Sequence, residues 1–150
     1  MIPALDENGL LPIGVWTCRL EEVPPLFVTN QRRRELWDGL SRFRAAEFPH
    51  VLQQIPMFLD GSFCRSKDHP ADIDVVLDLS VLADEIAVPI IVEVAKRHDE
   101  IKDQYHLDLY TKHPFIPNDL SKFFQYVGDK AALDLGLHPK DHKGILRVLP

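Results

Sequence analysis

From Asp72 to Leu79 the chain alternates without a break: Asp72, Asp74, Val76 and Asp78 on one parity, Ile73, Val75, Leu77 and Leu79 on the other. Successive side chains of a β-strand point to opposite faces, so the pattern predicts a strand over 72–79. Its odd residues enter a core, and Asp72 and Asp74 stand together on the other face. Two carboxylates so placed can share magnesium, which prefers a few carboxylates plus phosphate oxygens. His106-Leu107-Asp108-Leu109-Tyr110 repeats the apolar-Asp-apolar motif and predicts a strand over 105–111. If the two strands are neighbours, Asp108 joins Asp72 and Asp74. It would then serve as a third metal ligand or as the base that takes the proton of an attacking hydroxyl.

Upstream, residues 55–60 read as a strand that runs into Gly61-Ser62. Gly61 allows the backbone to approach a phosphate closely, and Ser62 adds a hydroxyl at the start of a short helical turn. Arg65 and Lys67 follow in the connection to 72–79. Arg65 is the better phosphate ligand because its fork can hold two oxygens, whereas Lys67 reads as solvated.

The remaining elements follow from caps and periodicity. Pro3, Pro12, Pro24 and Pro25 mark residues 1–30 as an extended arm with a short turn at 20–23. Thr29-Asn30 is a natural N-cap for a helix running to Phe48-Pro49, with Leu36, Leu40 and Phe43 at helical spacing and Trp37 alongside. A second helix is predicted over about 89–101, starting at Pro89, with Ile90, Val94 and Ile101 inward. Asn118 is expected to cap a short helix through Val127, residues 128–143 to form a loop, and 144–149 a final strand. At 150 residues the chain reads as one domain, 1–150.

A net charge of −6 disfavours a long nucleic-acid duplex unless basic residues cluster. Arg32, Arg33, Arg34, Arg42 and Arg44 fall on one predicted helix, either as contacts for RNA phosphates or an acidic partner or, more plainly, as a solvated face. Cys18 and Cys64 have no disulfide or zinc spacing and read as reduced thiols, with Cys64 a small packing residue. His138 and His142 are four apart, but Pro139 argues against a continuous helix, so they read as surface histidines rather than metal ligands. His106 would share a strand face with Asp108, as a structural neighbour or a substrate contact. No apolar run is long enough to cross a bilayer. Asp6 and Glu7 stand where a signal peptide would be basic, so the expected location is cytoplasmic, with no membrane partner.

The combination of a strand ending in Gly61-Ser62, a gap of this size and Asp72-Ile73-Asp74 resembles the signature of the nucleotidyltransferase superfamily. Gly61-Ser62-Phe63-Cys64-Arg65-Ser66 is similar to the Gly-Ser-x-Ala-Arg-Gly opening of the minimal nucleotidyltransferases, with Cys64 and Ser66 replacing Ala and Gly and with Ala71 where those members often have Ser. Asn8-Gly9-Leu10-Leu11-Pro12, the arginine-rich helix start, Leu59-Asp60-Gly61-Ser62-Phe63, Phe123-Phe124-Gln125 and Lys143-Gly144-Ile145 further resemble a largely uncharacterised family of stand-alone bacterial nucleotidyltransferase-like proteins. The resemblance implies an α/β (α+β) fold, a mixed sheet flanked by helices. It also implies magnesium or manganese on Asp72, Asp74 and Asp108, with the nucleoside triphosphate held at Gly61, Ser62 and Arg65. The implied activity is transfer of a nucleoside monophosphate to a hydroxyl of a protein, an RNA or a small molecule, in some small members within toxin–antitoxin or phage-defence systems. The rival expectation is a non-catalytic module of the same fold that binds a protein partner, such as one half of a toxin–antitoxin pair.

Overall fold

The computed structural model describes residues 1–150. In chain order the elements are β1 (Gly14–Arg19), α1 (Pro24–Phe27), α2 (Gln31–Ala46), β2 (Met57–Asp60), β3 (Ile73–Asp78), α3 (Asp84–Lys96), α4 (His98–Tyr105), β4 (Leu107–Lys112), α5 (Leu120–Phe123), α6 (Asp129–Leu135) and β5 (Gly144–Leu149). The strands form one sheet of order β1-β5-β2-β3-β4. It is mixed: β1 pairs parallel with β5, β5 and β3 each pair antiparallel with β2, and β3 pairs parallel with β4. The expected α+β fold, a mixed sheet flanked by helices, is what forms.

The odd residues Ile73, Val75, Leu77 and Leu79 are all buried, within a core of 27 residues. Over them pack Leu36, Leu40 and Phe43 of α2, Ala87, Ile90 and Val94 of α3, and Ile101 and Tyr105 of α4. Each large side chain so enclosed contributes about 1.5–3 kcal/mol, which outweighs the ordering of a single strand position. Asn30 caps α2 as expected, its side chain accepting the Arg33 N–H at 2.9 Å. At Gly39 any Cβ would overlap the Tyr105 carbonyl, so a glycine is what lets α2 lie directly on the end of α4. The parallel β3–β4 pair needs a crossover, and α3 followed by α4 supplies it.

Several boundaries differ from the sequence expectation. Pro89 does not begin a helix but lies inside α3, which starts at Asp84 after the extended residue Ala83. Asp84 and Glu85 in the first turn favour that earlier start, because acidic groups suit the positive helix end. The expected single helix is two, broken at Arg97, so Ile90 and Val94 come from α3 and Ile101 from α4. The stretch read as an arm carries β1, which docks on β5 from Gly14↔Gly144 to Arg19↔Leu149. Asp119, not Asn118, caps α5, accepting the Ser121 N–H at 3.0 Å, and α5 ends at Phe123. The 128–143 loop contains α6, closed by Gly136 in the left-handed region. No helix is long and apolar enough to cross a membrane.

Candidate active site

Strand register assembles the acidic residues. Asp74 is paired with Asp60 across β2–β3 and with Asp108 across β3–β4, which places the three on one face in one row. Asp72 precedes β3 with the same parity. Asp74 is the electrostatic centre of the group. Burial first, then the charges of Asp72, Asp60 and Asp108 and a hydrogen bond with Asp108, push its carboxyl up from the ordinary range to about 8.

The three other carboxylates each meet a basic side chain. Lys143 Nζ donates to Asp60, and both residues are buried. Burial still raises the Asp60 carboxyl, against the opposing pull of Lys143. Lys102 Nζ lies 3.2 Å from Asp72 Oδ2, and His98 Nε2 lies 2.9 Å from Asp108 Oδ1. Tyr110 donates its hydroxyl to Asp108 Oδ2 at 3.1 Å, and burial together with Asp108 raises that phenol to about 12. Asp74 pairs with no lysine, arginine or histidine. A cluster of carboxylate oxygens with its most crowded member unmatched by any cation is a donor set that suits magnesium or manganese. As the side chains stand, no three of them close into a ligand cage, because Asp72 turns to Lys102 and Asp108 to His98.

Gly61 adjoins this centre. Its φ is +76°, and a Cβ there would overlap the Asp74 carboxylate, so both the turn and the close approach require glycine. Ser62 follows in the same short 3-10 turn, which runs Gly61–Cys64. The turn is held from beneath by an arginine whose role the sequence did not reveal. Arg33 is buried and donates to the carbonyls of Phe27 (3.0 Å), Phe63 (2.6 Å), Ser62 (3.3 Å), Lys67 (2.8 Å) and Arg65. Arg32 adds bonds to the carbonyls of Pro70 (3.0 Å) and Ala71 (2.7 Å). The arginine-rich helix is therefore neither wholly a solvated face nor wholly a phosphate surface: its first turn pins the 61–72 connection, and Arg42 sits over the Tyr105 ring at 5.6 Å.

Other expected positions have other roles. The guanidinium of Arg65 turns to Asp134 of α6, at 2.9 Å. Lys67 is exposed, as expected. His106 is the left-handed C-cap of α4, and its carbonyl accepts the Ile73 N–H at 3.1 Å, which makes it a backbone joint between α4 and β3. His142 stacks near Tyr126, with ring centroids 4.7 Å apart. Cys64 is fully enclosed and its thiol is pushed well above the usual value by burial, so it packs rather than reacts. Asp60, Lys143, His98, Lys102 and Tyr110 were assigned no role from sequence. Asp60 had one usable signal, its even spacing from Phe58 on β2; the basic partners had none, since each arrives from a different element.

A model of DUF6932, a family of unknown function, matches residues 3–149. The chain belongs to that family. The match in this DUF6932 chain takes in every residue of the acidic cluster, the Gly61-Ser62 turn and their basic partners. No curated protein and no solved structure matches it.

Proposed function

We propose that this DUF6932 chain is a metal-dependent nucleotidyltransferase that passes a nucleoside monophosphate from a nucleoside triphosphate to a hydroxyl acceptor. The observation that carries the reading is the seating of Gly61 against Asp74, at the centre of the Asp60–Asp74–Asp108 row with Asp72 beside it. It joins a turn able to receive phosphate to the carboxylates able to hold a cation.

Asp72 and Asp74 would hold magnesium or manganese, whose positive charge, when bound, offsets the negative charge of the phosphate oxygens, and Asp108 would serve either as a third ligand or as the base. Gly61 and Ser62 would orient the phosphates. Arg65 would contribute there only after leaving Asp134. In the transfer step the acceptor oxygen bonds to the α-phosphorus, the bond from that phosphorus to the oxygen bridging the β-phosphorus breaks, and pyrophosphate leaves. In the base role, the Asp108 carboxylate, which His98 and Tyr110 hold in one orientation, would take the hydroxyl proton. The reading entails a cytoplasmic location, where nucleoside triphosphates and magnesium are supplied together.

The test is label transfer from each of the four α-phosphate-labelled nucleoside triphosphates, with magnesium or manganese, into host extract. Protein, RNA or small-molecule label should appear with wild type and fall by about 10³-fold or more with folded Asp74→Ala. A second reading, a non-catalytic module acting through a protein partner, is favoured by the basic side chains that already meet Asp72 and Asp108. Absence of label from a folded wild type that co-purifies with a partner would select it.

A further inference from the structure

Two basic side chains reach the acidic cluster from α4. His98 and Lys102, at i and i+4, share one face of the helix and engage Asp108 and Asp72 respectively. The helix itself is fixed. Arg97, just before it, binds Glu47 at 2.7 and 3.1 Å, and Tyr105 at its end donates to the same carboxylate at 2.9 Å. From this fixed base Lys102 extends a long stem whose side chain is 45% exposed, whereas Lys143, on Asp60, is 9% exposed. Arg65, the cation nearest the turn in sequence, is held by Asp134. Lys102 is thus the solvent-exposed lysine at the rim of the cluster.

We propose that Lys102 is a placeholder cation: it occupies Asp72 until a divalent ion binds, and its ammonium then moves to a phosphate of the incoming nucleoside triphosphate. The inference rests on the nucleotidyl-transfer reading and adds a residue to its substrate site. The physical reason is competition for one carboxylate. A lysine ammonium and a divalent ion cannot both occupy the inner face of Asp72, and like charges repel across the few ångströms between them. Displaced from Asp72, a flexible point charge on an exposed stem has a triphosphate as its nearest excess of anionic oxygen.

The exchange makes two affinities move in opposite directions. With Lys102→Met, manganese alone should bind about three- to tenfold more tightly, since a competing cation is gone. Non-hydrolysable nucleoside triphosphate analogues with magnesium should bind about tenfold more weakly, since one charge-assisted contact is lost. Lys102→Arg, which keeps the charge, should hold manganese affinity near that of wild type. Calorimetric titration of wild type, both Lys102 variants and Asp74→Asn reads all of this without turnover. Unchanged manganese affinity in Lys102→Met, or a fall in both affinities together, overturns the exchange while leaving the metal site standing. Manganese that fails to bind wild type, or binds Asp74→Asn as well as wild type, overturns the carboxylate site and the exchange with it.

Discussion

On one face of β2, β3 and β4, the row Asp60–Asp74–Asp108 lies next to the row Phe58–Val76–Tyr110, two residues later on β3 and β4 and two residues earlier on the antiparallel β2. The first row is ionic, and Asp74 and Asp108 are only partly buried. In the second, Val76 and Phe58 are buried with Ile145 beneath Leu120 and Phe124, a small core separate from the main one. The difference arises from the segment after β4, because α5 covers one row and stops short of the other. Tyr110 belongs to both: its ring lies 5.9 Å from that of Phe124, and its hydroxyl holds Asp108. A sheet face can thus be half carboxylate cluster and half hydrophobic core.

If the ionic row depends on its internal partners, the largest stability effect belongs to Lys143→Met, which leaves Asp60 buried and unpaired. The expected loss is about 3–5 kcal/mol in urea unfolding, with most of it recovered in the double variant Asp60→Asn/Lys143→Met. A single-variant loss below about 1 kcal/mol would break the distinction between Asp60, held by a buried lysine, and Asp74, which no basic side chain meets.

The covered row is tested by Phe124→Ala. Phe124 is half-buried, so the loss should be about 1–2 kcal/mol. Because Tyr110 stands between the rows, label transfer should also drop, by about tenfold. Unchanged transfer would show that the two rows are independent.

The unpaired carboxyl of the first row is tested by a pH dependence. The folded pKa of Asp74, about 8, lies above the unfolded carboxyl value, so the folded state holds the proton more tightly. Its contribution to stability is complete below the unfolded pKa of about 4 and is lost as pH rises to 8. Asp74→Asn removes that dependence and should be more stable than wild type at pH 8, but not at pH 4. Magnesium should narrow the gap at pH 8 by stabilising wild type alone. An equal difference at both pH values would refute the electrostatic crowding of Asp74.

Much of the carboxylate cluster was legible because a strand's period of two is local. The alternation at 72–79 and at 107–109 placed Asp72, Asp74 and Asp108 on one side of their strands, and the Gly-Ser turn stood where a glycine was needed. Helix limits were less legible. Pro89 suggested a helix start, but the acidic first turn at Asp84 and Glu85 and the packing of Ala87 carried α3 past it.

What the sequence by itself determined is what repeats along a single strand or caps a single helix: the core parity of β3, the outward aspartates, the Asn30 cap and the strand at 144–149. Tertiary structure alone decided which cation meets which carboxylate. Lys143 reaches Asp60 across 83 residues of sequence, Arg33 reaches the 61–67 turn from α2, and Arg65 turns away to Asp134. Coulomb energy depends on separation in space and on the surrounding dielectric, and neither is encoded in the spacing of residues along the chain.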